Sequence, residues 1–105
     1  MIKVHQKGFL LIELSKVTSM WDDDLIDKTL LEYNLIGDYW KKNLRVALDE
    51  LSAAGVITRI DEKLVDINGK SRLFFCYKLS AFGRLRLIDT GLIDTRLIIE
   101  GVKND

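Results

Sequence analysis

At Gly55 the hydrophobic period of this chain changes, and that change limits the folds open to it more than any other feature. Before it, "DYWKKNLRVALDELSAA" places Trp40, Leu44, Ala47, Leu48 and Leu51 at the spacing of one helical face. After it, "VITRIDEKLVDI" and "KSRLFFCYKL" are rich in β-branched and aromatic residues that alternate in part with polar ones, as strands do. Asn68 and Gly69 separate the two runs. Asn-Gly suits a type I′ hairpin turn because both central residues of that turn need positive φ. Gly55 stands where a left-handed C-cap residue is wanted, so a helix over about Tyr39 to Ala54 should end there and a hairpin begin.

Upstream, "KGFLLIELSKVTSMW" puts Leu10, Leu14, Val17 and Trp21 on one helical face, which predicts a first helix from Gly8 to Met20. The acids Asp22, Asp23 and Asp24 supply N-cap candidates and suit the positive end of a helix dipole, with Ile26, Leu30 and Tyr33 recurring behind them. A short second helix over Asp24 to Tyr33 follows, then a turn at Gly37 with Asp38 as N-cap of the third helix. Beyond the hairpin, Ser80 caps a short helix with Phe82 and Leu85 on one side. The tail "TGLIDTRLIIEGVKND" shows neither period clearly.

One domain is the expectation for 105 residues, with a core over residues 8–88 and a tail over 89–105. Hydrophobic content of 48% against 30% charged excludes the signature of disorder. No apolar run reaches the roughly 18 residues of a membrane span, and "MIKVHQKGFLLIEL" has no small-residue cleavage site, so the expected location is the cytoplasm, away from membranes. Cys76 lies in an apolar run and reads as a buried, unreactive thiol. Sixteen basic and sixteen acidic residues leave no formal net charge, which argues against nucleic-acid binding in its simplest form. The charges are segregated, however. Glu13 to Glu32 holds six acids against two lysines, whereas Ile67 to Ile88 holds five bases and no acid.

Helix, helix, helix, hairpin, helix is the order of a winged helix-turn-helix, and two motifs carry the resemblance. In "LDELSAAGVITRI", Leu48, Leu51, Gly55, Val56 and Ile57 resemble the end of a recognition helix, its glycine stop and the first wing strand. In "YKLSAFGRLRL", Tyr77, Leu79, Ser80 and Gly83 resemble the exit from the second wing strand into the next helix. The chain is thus similar to the MarR-like and PadR-like bacterial regulators from about Asp38 to Leu87, although "NLIGDYWKKNL" lacks their Ser/Thr-rich helix opening. The resemblance implies an α+β winged helix-turn-helix. It also implies sequence-specific binding of double-stranded DNA by a bacterial or phage transcriptional regulator, and a homodimer. The apolar ends "MIKV" and "LIDTRLIIEGV" are the surfaces expected to pair, the tail serving as a dimerisation element.

A third helix lying in the major groove reads bases with its outward side chains while a hairpin follows the backbone. Taking the apolar stripe as inward, the opposite face is Tyr39, Lys42, Val46, Asp49 and Ala53, with Asn43 and Arg45 on the flanks and Lys41 nearer the core edge. Lys42 and Arg45 can donate to guanine or phosphate, Asn43 to adenine, and Tyr39 to a phosphate or a thymine methyl. Cations at a helix N-terminus oppose the dipole, so Lys41, Lys42 and Arg45 so early in the helix point to an expected anion. Solvated surface charge is the plainer alternative. Trp40, on the stripe, reads as core. In the hairpin Lys63, Lys70 and Arg72 are candidate phosphate contacts, or simply charges at a wet tip. Arg84 and Arg86 could touch phosphates or pair with the acids near Asp22.

His5 is the only histidine and has no partner at ligand spacing, and neither GxxxxGK[ST] nor GxGxxG occurs. Neither an enzyme nor a cofactor is therefore expected, and no residues for an effector pocket stand out. The rival expectation is a winged helix used as a protein-interaction module without DNA, which zero net charge and the acidic block favour.

Overall fold

A computed structural model describes residues 5–91. They run α1 (Gln6–Ser15), β1 (Met20–Trp21), α2 (Asp22–Tyr33), α3 (Asp38–Ala53), β2 (Ile57–Ile67), β3 (Lys70–Leu79) and α4 (Ala81–Asp89). Among the described residues the fold is α+β: four helices with a three-stranded antiparallel sheet in the order β1–β3–β2. Among the described residues no helix is long and apolar enough to cross a membrane. The pairing segment Met1–Val4 and residues 92–105 of the tail lie outside the described residues.

The end of the first helix differs from its periodicity. α1 stops at Ser15, and Met20 and Trp21 pair with Tyr77 and Cys76 instead of continuing the helix. Backbone pairing to β3 satisfies their peptide groups and leaves Val17 on the surface, so the apolar spacing through Trp21 was shared by two elements. α2 consequently begins at Asp22, with Trp21 rather than an aspartate at the N-cap. Asp38 is likewise the first residue of α3, and Gly37, with φ +108°, occupies the N-cap.

α3 ends as its glycine demands. Gly55 takes φ +80°, its N–H donates to Ser52 O at 3.0 Å, and Val56 N–H donates to Leu51 O at 3.2 Å. This pair of bonds is a Schellman motif, which satisfies carbonyls at the helix end and turns the chain into β2. At the hairpin tip Asn68 and Gly69 both have positive φ, as the type I′ turn requires.

Leu10 and Leu14 of α1, Leu25 and Ile26 of α2, and Leu44, Leu48 and Leu51 of α3 are buried together with Ile57, Tyr77, Leu79 and Leu87. A second joint locks this core. Ser80 Oγ donates to Gly55 O at 2.6 Å and accepts from Gly83 N–H at 2.9 Å, capping α4. Gly83 lies against the Val56 carbonyl so closely that a Cβ there would sit 1.9 Å from its oxygen. Gly83→Ala should therefore force backbone apart and cost about 3 kcal/mol or more of stability, read as a fall in the urea midpoint. Gly55→Ala, which meets no atom and strains only φ, should cost about 1 kcal/mol.

Candidate nucleic-acid interface

The geometry of α3 splits it lengthwise and crosswise. Leu44, Ala47, Leu48 and Leu51 are buried, whereas Tyr39 is 68% and Val46 53% exposed. Lys41, Lys42 and Asn43 are exposed as well, Lys41 more than its place near the core edge suggested. Among the described residues neither lysine forms an ion pair. The acids of the second half are differently placed: Arg59 Nη2 lies 3.5 Å from Asp49 Oδ1, and Lys7 Nζ 3.2 Å from Glu50 Oε2. Exposed pairs of this kind add little stability, about 0–1 kcal/mol. Their effect here is to neutralise the acids of α3 while its first turns keep an uncancelled positive charge.

Arg45 is not on that outward surface. Its Nη1 donates to Asp22 Oδ2 at 2.9 Å, with the Asp22 side chain only 3% exposed. The other carboxylate oxygen of Asp22 accepts from Asp23 N–H at 2.8 Å. A buried carboxylate requires a counter-charge, and Arg45 is the residue that α3 brings to the start of α2. The guanidinium is thus engaged in joining the two helices, and of the two alternatives open to Arg84 and Arg86, an ion pair with the acids near Asp22 is not formed among the described residues.

The hairpin has two dissimilar faces. Directly opposed residues of an antiparallel pair point to the same side. Ile57, Tyr77 and Leu79, with Phe75 packed behind them, form the side turned into the core with α3. Lys63, Arg72 and Lys70 belong to the other side, with Phe74 and Cys76. Lys63 is not a tip residue: it opposes Phe74, and its ammonium lies 4.3 Å from the Trp21 ring centroid. The Arg72 guanidinium lies 5.0 Å from the Phe74 ring. Stacked in this way, both cations cover the buried Phe74 while keeping their charge at the surface. Only Lys70 stands beside the Asn68–Gly69 tip with no ion pair or ring contact among the described residues.

Two residues outside the sequence-derived site candidates, Arg59 and Trp21, matter here. Arg59 lies 3.6 Å over the Phe75 ring and donates to Tyr77 Oη at 3.1 Å, in addition to facing Asp49. A bulge after it shifts the register between Arg59 and Asp61, so Ile60 faces no partner. Trp21, read as the end of a helical face, is the aromatic plate beneath Lys63. Nothing in linear spacing marks either contact, because both depend on the sheet register.

Trp40 corrects the expectation of a core residue. It stands outside the main core, half-buried, its ring 5.1 Å from that of Tyr39 in an edge contact. With His5, Tyr33, Asn43 and Glu50 it lines an open groove of about 470 Å³ between α1, α2 and α3. Desolvation, and then the nearby Glu32, raise the Tyr33 phenol above its ordinary pKa. Among the described residues, no three His, Cys, Asp or Glu side chains converge on a metal-sized site.

No family model and no curated protein matches this chain. The geometry of the surface is what carries a functional reading. That geometry separates two cations by role: Arg45→Ala, which leaves Asp22 buried without its counter-charge, should cost about 1–3 kcal/mol of stability. Lys42→Ala should stay within about 0.5 kcal/mol of the wild type in the same urea titration.

Proposed function

We propose that this chain is a winged helix-turn-helix protein that binds double-stranded DNA, with α3 in the major groove and the hairpin tip on the sugar-phosphate backbone. In this reading it is a bacterial or phage transcriptional regulator, acting as a homodimer on paired half-sites. The observation that carries the reading is the first half of α3, where Tyr39, Lys41, Lys42 and Asn43 are exposed while Lys41 and Lys42 form no ion pair among the described residues. A helix of this diameter fits the major groove, and its exposed early turns reach base edges. Cations near a helix N-terminus are disfavoured by the dipole unless an external anion offsets them, and phosphate is such an anion. Lys42 and Asn43 are the base-reading candidates, Tyr39 and Lys41 the flanking contacts, and Lys70 the backbone contact at the hairpin tip. Arg45 serves this surface indirectly, by holding α3 on α2.

One observation favours the rival, a protein-interaction module. Leu64 and Leu73 oppose each other on the hairpin and are 67% and 44% exposed, an apolar pair that DNA does not use. A salt titration with a labelled duplex pool separates the two readings. Phosphate binding through several cations must weaken steeply as salt rises, whereas an apolar protein interface does not. On a selected duplex, Lys42→Ala should weaken binding by about 1–3 kcal/mol and relax specificity at one position. Lys70→Ala should instead weaken all duplexes alike and lower the salt slope by about one. Wild-type affinity in both variants, or binding indifferent to salt, would remove the DNA reading.

A further inference from the structure

The two faces of the β2–β3 hairpin differ in charge as well as in burial. On the side away from α3 the register collects Lys63, Lys70, Arg72 and Lys78 against one acid, Asp61. The side toward α3 carries Arg59 against Glu62 and Asp66. Toward the tip of that face Val65, half-buried, opposes Arg72, and Ile67, 43% exposed, opposes Lys70. Apolar side chains set among cations offer a partner protein buried contact as well as charge.

The same chain exposes the counterpart. α2 buries Asp22, Leu25, Ile26 and Thr29, which turns Asp24, Asp27 and Leu31 outward, with Asp23 on the flank. Leu31 is 85% exposed, and Asp23, Asp24 and Asp27 form no ion pair among the described residues. Lys28, the one cation of α2, is drawn aside to Glu13 at 3.8 Å. The two faces also match in length. Asp24 to Leu31 covers about 10 Å of helix, and Lys63 to Ile67 about 13 Å of strand.

We propose that the outer face of the hairpin docks on the outward face of α2 in a second copy of this chain. Lys63, Lys70 and Arg72 meet Asp23, Asp24 and Asp27, and Leu31 packs on Val65 and Ile67. Stacking on Trp21 and Phe74 already fixes the heads of Lys63 and Arg72, so less side-chain freedom is lost on docking. The contact leaves the exposed face of α3 free and shares only Lys70 with the proposed DNA surface, so its test is made without DNA.

Sedimentation velocity without DNA tests it. At about 500 μM and about 0.03 M salt the wild type should show a mass above one chain, returning to one chain at about 0.5 M salt. Lys63→Glu/Lys70→Glu should be monomeric throughout, and so should Asp24→Lys/Asp27→Lys. An equimolar mixture of the two variants should associate again, because each then offers a charge opposite to its partner's; a merely misfolded variant would not recover. Lys42→Ala should associate as the wild type does, which keeps this test apart from that of DNA binding. A monomeric wild type at low salt overturns the proposal. Association that survives both double variants also overturns it, by assigning pairing to other surfaces. If the lysine variant instead loses duplex affinity with no change in mass, the face belongs to a nucleic-acid backbone and the proposal fails.

Discussion

Everything in this fold hangs on the close approach of Gly83 to the Val56 carbonyl, with Ser80 bridging the two chain segments. Ser80 N–H donates to Val56 O, and its hydroxyl donates to Gly55 O while capping α4. The point where α3 becomes β2 is thereby tied to the point where β3 becomes α4. Both ends of the hairpin base are fixed by one serine and two glycines, and the direction in which α3 presents its outward face follows from that joint. The rigidity is local in sequence terms on each side but non-local in effect, since residues 25 apart share a hydrogen bond. That separation is why "LDELSAAGVITRI" and "YKLSAFGRLRL" have meaning as a pair: each supplies half of a single junction.

Above that joint the core is ordinary leucine packing, and the sheet adds a second, thinner layer on its far side. Phe74 and Cys76 are buried without belonging to the main core. Their cover is Trp21 and the stacked cations Lys63 and Arg72. Charged side chains here do the covering that a further helix does in a larger domain, at the modest strength of a cation over an aromatic face. The hairpin is therefore sided: one face belongs to the core, and the other is a basic surface with an aromatic floor.

What was legible in the sequence follows the range of the interactions. The helix stop at Gly55, the turn at Asn68–Gly69 and the Ser80 cap are set within a few residues, and each stands where local chemistry put it. The helical stripe of α3 was equally clear, because four of its apolar residues face the core. Trp21 and Trp40 were misplaced for one reason: periodicity says that a residue lies on an apolar face but not whether a partner covers it. Trp21 went to the sheet edge and Trp40 to an open groove. Of the candidate residues on α3, the exposure of Tyr39 and Lys42 was legible, because helical phase alone decides it. The roles of Arg45, Lys63, Arg72 and Arg59 depend on the sheet register and helix docking, which no spacing rule reaches.

The Asp22–Arg45 pair shows how a structural ion pair reshapes a candidate surface. Asp22 is buried because Met20 and Trp21 are drawn into the sheet, which places the start of α2 under α3. A carboxylate so placed needs a cation, and the arginine midway along α3 supplies it. Its engagement leaves the positive charge of that helix concentrated in the first turns, at Lys41 and Lys42. There it opposes the helix dipole by about 0.3–1 kcal/mol for each lysine, offset in part by Asp38 in the first turn. The later half of the helix, with Asp49 and Glu50 held by Arg59 and Lys7, is left close to neutral. A chain without net charge thus presents a positive helix end by neutralising its acids locally, which is why the overall charge balance is a poor guide to this surface.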